Sequence, residues 1–218
     1  MSAHFANLLD DLRRRSFRMA SLVEDMVAES CEAALQIDHN LARRVIHRDE
    51  DVDTEEVQVE SEVIRLMALF QPVGVDIRLL CTILKANSDL ERVADCAVNI
   101  AERARHLDPK TPLPLDTELK DLIPLVRRSL RKAIHAFTSE DGSAAREVLA
   151  DDDLVDALYG QFVQKMVTQA GQSPERMAMH MDILSVAKNL ERIADHATNI
   201  AEDVVFLATG QIVRHRAT

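Results

Sequence analysis

Leu90 to Glu102 reads LERVADCAVNIAE, and Leu190 to Glu202 reads LERIADHATNIAE; ten of the thirteen positions are identical, at a constant offset of 100 residues. A helix advances about 100° per residue, so Glu91, Asp95, Asn99 and Glu102 project within roughly 80° of one another. Leu90, Val93, Ala94, Ala97, Ile100 and Ala101 occupy the other side, which gives the segment an apolar back and an acidic front. The second copy repeats the pattern with Glu191, Asp195, Asn199 and Glu202. Like charges four residues apart cost a helix about 0.2–0.5 kcal/mol per pair, so helix stability alone does not ask for such a stripe. Either water tolerates it or a cation offsets it.

Working outward, apolar residues recur at helical spacing from Phe5 to Leu35, and Asp38-His39-Asn40 marks a turn. A second helix is expected from about Leu41 to Phe70, ended by Gln71-Pro72-Val73-Gly74, because proline disfavours helix in the residue before it. The third carries the first motif copy and ends near Leu107. DPKTPLPLDT, residues 108–117, is the clearest boundary in the chain. The pattern then restarts, with helices expected at about Glu118–Phe137, Ala144–Gln169 and Glu175–Leu207, the last followed by Gly210. Each half thus reads as helix, turn, helix, proline-containing turn, motif helix. The expected fold is all-α, two tandem, duplicated three-helix bundles of six long antiparallel helices, covering residues 1–108 and 116–212.

The composition agrees, with 5 glycines in 218 residues and aromatics at 3%. A formal net charge of −11 argues against nucleic acid as a partner, since phosphate backbones are held mainly through Lys and Arg. Arg13-Arg14-Arg15 is read as a solvated helix face. No apolar run approaches the roughly 18 residues of a membrane span, and the N-terminus lacks the pattern of a signal peptide. Cys31, Cys81 and Cys96 show no CxxC spacing and are expected as reduced thiols in a cytoplasmic protein.

The middle helix of each half adds carboxylates. Asp49, Asp53, Glu56 and Glu60 lie at i, i+4, i+7 and i+11, within about 60°. In the second half Asp152 and Asp156 keep the first spacing, while Tyr159 and Val163 replace the two glutamates. In antiparallel bundles these helices adjoin the motif helices, so one outward-facing oxygen cluster per half is expected. Hard oxygen ligands suit Mg²⁺, Mn²⁺, Ca²⁺ or a hard iron state. The candidate metal ligands are therefore Asp49, Asp53, Glu91, Asp95, Asn99 and Glu102, with Asp152, Asp156, Glu191, Asp195, Asn199 and Glu202; Asp203, about 100° from Glu202, is a weaker candidate. Asn189 stands where the first half has Asp89, so the first half is expected to hold metal better.

QPVGVDIRLLCTILKANSDLERVADCAVNIAE and AKNLERIADHATNIAEDVVFLATG resemble the two signature helices of the PhoU family of phosphate-transport regulators, and the likeness extends over nearly the whole chain. Ala94 and Ala194 stand where many members carry glycine. The resemblance implies a cytoplasmic regulator, often a homodimer, that represses the phosphate-starvation response and restrains phosphate uptake. It would connect the ATP-binding subunit of a phosphate ABC transporter with a sensor histidine kinase, and would approach the membrane only through those partners. It further implies iron or zinc clusters, or Mg²⁺ or Mn²⁺, at the carboxylates named above. Two alternatives are a metal-free helical scaffold and a carboxylate di-metal enzyme. The enzyme is disfavoured because no glutamate has a histidine three residues later, the pairing such helical sites use, and no nucleophile with a neighbouring base or phosphate loop is evident.

Overall fold

In the computed structural model, which describes residues 3–213, the chain runs through seven α-helices: α1 (Ala3–Gln36), α2 (His39–His47), α3 (Asp49–Phe70), α4 (Val75–His106), α5 (Asp116–Ser139), α6 (Gly142–Gln172) and α7 (Met177–Thr209). A single 3-10 turn, Pro174–Arg176, leads into α7. There is no strand among the described residues. The expected helix over residues 41–70 is divided at Arg48, whose φ −75° and ψ −10° remain right-handed, so α2 and α3 follow one another with one tightened turn. Counting them as one rod leaves six, as the periodicity predicts.

The helix starts and stops have local causes. Asp38 accepts the amides of Asn40 and Leu41 at 2.9 and 3.0 Å, and Asp141 accepts those of Ser143 and Ala144 at 2.7 and 3.2 Å. Each satisfies donors that a helix N-terminus leaves open. Gly210 ends α7 at φ 71°, a left-handed conformation in which its N–H donates to Phe206 O at 2.7 Å. α5 continues through Pro124.

α1, α2–α3 and α4 form one three-helix unit, and α5, α6 and α7 form the other. The units share one continuous core. Its centre is α4 against α7, the most extensive helix pair in the molecule, and α1 also runs beside α5. The apolar backs of both motif helices are enclosed in this core: Leu90, Val93, Ala97 and Ile100 are fully buried, as are Leu190, Ile193, Ala197 and Ile200. Sequestering a leucine-sized side chain is worth about 1.5–3 kcal/mol.

Contacts along this pair descend on one helix as they rise on the other. Arg78 donates to Leu207 O at 3.3 Å, Lys85 meets Asp203 at 2.9 Å, Asp89 meets His196 at 2.8 Å, and Arg103 meets Asp182 at 3.5 Å. The motif helices are therefore antiparallel.

Candidate metal-binding face

In the first half α3 and α4 run antiparallel, with Asn87 of α4 donating to Glu56 O of α3 at 3.0 Å. This brings the two acidic stripes together. Asp49 has its carboxyl pushed above the usual range by partial burial and then by the charges of Asp53, Asp95 and Glu102. Burial again leads for Glu91, followed by Asp95, with Glu56 and Asp53 adding and Arg92 opposing. Glu56 is raised by burial, Glu60 and Asp53. Desolvation and like-charge proximity both disfavour the ionised form, and a cation is what would relieve both. Arg92 already reaches in, 3.2 Å from Glu91 and 3.2 Å from Asp95. Asn99 lies half-buried on the same helix, and Glu102 is exposed.

The second half gathers its oxygens more tightly. Carboxylate oxygens of Asp156 on α6 and Glu191 and Asp195 on α7 all lie within 4.8 Å of one another, the one such trio among the described residues. This departs from the reasoning that gave the first half the advantage, and the reason is where Asp89 goes. Asp89 lies about 160° around α4 from Glu91 and faces α7, so its replacement by Asn189 takes no charge from the second stripe.

Lys188 sits beside the trio, its Nζ 2.5 Å from Glu191 and 5.5 Å from the Tyr159 ring centroid. The Glu191 hydrogen bond raises the lysine's pKa. Tyr159, on the position of Glu56, thus adds a cation-binding ring where the first half has a carboxylate. Asp152 lies in α6, but its side chain falls outside the described residues. Glu202 is half-buried on α7. Asn199 spans the stripe and the contact between halves, donating to Asp89 Oδ1 at 3.2 Å. Asp203 is only 1% exposed and meets Lys85, so it belongs to the inter-repeat contact and is removed from the surface stripe.

The donor set fits a hard cation. All its ligands are oxygens, neighbouring helices contribute to each cluster, and the second-half trio is close enough for a shared ion. Three polar pairs went unread in the sequence: Asp89 with His196, Lys85 with Asp203, and Asp182 with Arg103 and His106, the last at 3.5 Å. Comparing the two motif copies at the 100-residue offset does hint at them, since Asp89 and Asn189, His196 and Cys96, and Asp203 and Arg103 are where the copies differ in polarity.

These features define a tandem-repeat helical protein in which two three-helix units share a core and turn acidic faces outward. The family model described as the PhoU domain matches it twice, over residues 17–104 and 119–204. The chain belongs to the PhoU family. It is 36% identical over 208 residues to the phosphate-specific transport system accessory protein PhoU homolog of Aquifex aeolicus, covering 95% of this chain and 94% of that one. The protein of that name from Caulobacter vibrioides is 37% identical over 195 residues, 89% of this chain and 85% of the relative. Among solved structures, PhoU from Pseudomonas aeruginosa superposes with a TM-score of 0.92 at 32% identity, covering 95% of this chain and all of that one. The phosphate transport system regulatory protein PhoU from Streptococcus pneumoniae gives 0.88 at 25% identity, over 96% and 99% of the two chains.

Proposed function

We propose that this protein regulates phosphate uptake and represses the phosphate-starvation response, as a cytoplasmic adaptor between a phosphate ABC transporter's ATP-binding subunit and a sensor histidine kinase. The observation that carries this reading is the match of both repeats, and of nearly the full length, to relatives named as accessory proteins of phosphate-specific transport. A protein that works by contact needs broad faces and a stiff frame. Six rods around one core provide both, and no helix among the described residues is long and apolar enough to cross a membrane. The repeats, residues 1–108 and 116–212, act as one body. A homodimer is part of the proposal, and catalysis is not.

Deleting the gene tests the role. Phosphate-starvation genes should be expressed in high phosphate, and complementation should restore repression; unchanged expression would remove the regulatory reading.

Divalent or trivalent cations at the acidic stripes complete the proposal, with iron, zinc, Mg²⁺ and Mn²⁺ all served by oxygen ligands. When bound, such an ion would neutralise carboxylates that otherwise repel, and would tie α3 to α4 and α6 to α7. The competing metal-free scaffold draws support from Arg92 and Lys188, which already pair with Glu91, Asp95 and Glu191. Elemental analysis decides between them. Metal retained by the native chain and absent from a variant carrying Glu91→Gln, Asp95→Asn, Glu191→Gln and Asp195→Asn supports the site, whereas equal content in both supports the scaffold.

A further inference from the structure

The carboxylate trio of the second half is already served by a cation of the chain itself. Lys188 Nζ reaches Glu191 at 2.5 Å, and its ammonium is held in the charged form by that hydrogen bond first, then by the charges of Glu191 and Asp195. Two of the three carboxylates that converge within 4.8 Å therefore act on one lysine. The same Nζ stands 5.5 Å from the centroid of the half-buried Tyr159 ring, within the range of a cation–π attraction.

Neither contact has a counterpart in the first half. At the offset of the motif helices Lys188 stands on Ser88, and on the alignment that pairs Asp49 with Asp152, Tyr159 stands on Glu56. A neutral hydroxyl has become an ammonium, and a carboxylate has become the ring that faces it. The two exchanges lie on different helices, α6 and α7, yet meet at one spot beside the trio and shift its charge in the same direction. An exposed lysine–carboxylate pair contributes little to stability, so the effect of Lys188 falls on the cluster it enters.

We propose that Lys188 is a tethered counter-ion of the second-half cluster, which a free cation must displace, and that it makes this half selective for multiply charged ions. The inference rests on the reading of the acidic stripes as cation sites. A free monovalent ion gains from the carboxylates no more than the ammonium already does, and it gives up translational freedom that a tethered group has lost in advance. A divalent ion doubles the attraction to each carboxylate and can replace the lysine. Tyr159 lowers the cost of that exchange, since its ring holds the ammonium when Glu191 is taken. Lys188 and Tyr159 are thus positioning residues that set which ion enters.

Titration of the full-length protein with Mn²⁺, read by electron paramagnetic resonance and calorimetry, tests the assignment. Lys188→Met keeps the side-chain stem and should bind Mn²⁺ about fivefold to tenfold more tightly, the competing ammonium and its repulsion of the incoming ion both being removed. The gain should vanish when Glu191→Gln and Asp195→Asn are added. Potassium chloride should compete with Mn²⁺ in Lys188→Met, and should compete no better than tetramethylammonium chloride in the native chain. Lys165→Met removes a lysine of α6 that pairs instead with Glu118 at 2.9 Å, and should alter Mn²⁺ affinity by less than about twofold, because charges beyond a Debye length are screened. Metal-free melting curves verify that each variant is folded. Equal or weaker Mn²⁺ binding by Lys188→Met overturns the role of Lys188 and leaves the cation site standing. Uptake by Lys188→Met alone supports the proposal, whereas uptake by neither protein removes the cation site and this inference with it.

Discussion

Lys85 of the first repeat holds Asp203 of the second at 2.9 Å, and the Asp203 side chain is 2% exposed while that of the lysine is 45% exposed. The lysine also stands 5.8 Å from the Phe206 ring centroid, so one side chain serves a buried charge and an aromatic face. Removing one partner of a buried pair leaves the other charge less well compensated, which costs more than the pair contributes. Lys85→Met should therefore destabilise the protein by about 1–3 kcal/mol, discounted from the fully buried case because the lysine is half in water. Lys85→Met with Asp203→Leu should cost clearly less than the sum of the single changes. Urea denaturation of the four proteins measures it, and additive losses would contradict the coupling.

Glycines in α6 separate two environments. A Cβ built on Gly160 meets nothing within 4 Å, whereas one on Gly142 falls 2.7 Å from Ala208 Cβ. Mid-helix glycine is about 0.8–1 kcal/mol worse than alanine. Gly160→Ala should raise stability by nearly that amount and Gly142→Ala should lower it, both read from thermal or urea midpoints.

The acidic faces set a pH dependence with a definite sign. A carboxyl raised on folding holds its proton more tightly in the native state, so Asp49, Glu56 and Glu91 add stability as pH falls from their raised pKa values towards ordinary ones, and lose it on the way back up. Asp38, Glu118 and Asp151 run the other way. Their carboxyls are held low by the Leu41 and Asn40 amides, by Lys165 and by Lys132 respectively. Their contribution is present above the ordinary value and fades as pH drops through the lowered one. Glu56→Gln with Glu91→Gln should thus be at least as stable as the native chain at neutral pH, with that advantage gone near pH ~4. Urea titrations at several pH values check it.

The same repulsion predicts a response to cations. Mn²⁺ or Mg²⁺ should raise the melting temperature saturably at neutral pH, since a ligand bound only by the native state stabilises it by mass action. Glu191→Gln with Asp195→Asn should remove most of that rise, given how closely the two carboxylates and Asp156 converge. Calorimetric scans with and without chelator provide the comparison.

Thiol reactivity should be sharply graded. Burial pushes the Cys31 thiol up to about 12 and the Cys96 thiol up to about 11, and both side chains are enclosed, while Cys81 is half-buried. Since the thiolate is the nucleophile, a disulfide reagent should modify Cys81 first and reach the other two only on unfolding. Mass spectrometry of the labelled peptides identifies the order.

Much of this was legible before any coordinates. The duplicated motif, the proline linker and the 3.6-residue period located the six rods, and the helical wheel placed Glu91 and Asp95 with Asp49 and Asp53. The break at Arg48 left no trace in the apolar pattern, because its backbone stays helical. The pairing of the two motif helices with each other was also hidden. A wheel ranks positions by one axis, whereas α4 is covered by α1, α2, α3 and α7 together. Thr82 and Asp203 are polar by type yet buried, because they meet across the core the repeats share, Thr82 donating to Asp203 O at 3.2 Å, while Asn87 is buried against α3. Asp89 was counted towards the charge of the first site, although it faces α7 and meets His196.

The antiparallel pairing of α4 with α7 has a consequence for how the chain could be rebuilt. At the 100-residue offset, Arg103 is the counterpart of Asp203, and Thr82 that of Asp182. A molecule assembled from two copies of the first half would bring Lys85 against Arg103, cation to cation, and would leave Arg103 without its acid. Duplication made the halves alike in shape, but their seam has become lock and key, and neither half can any longer stand in for the other.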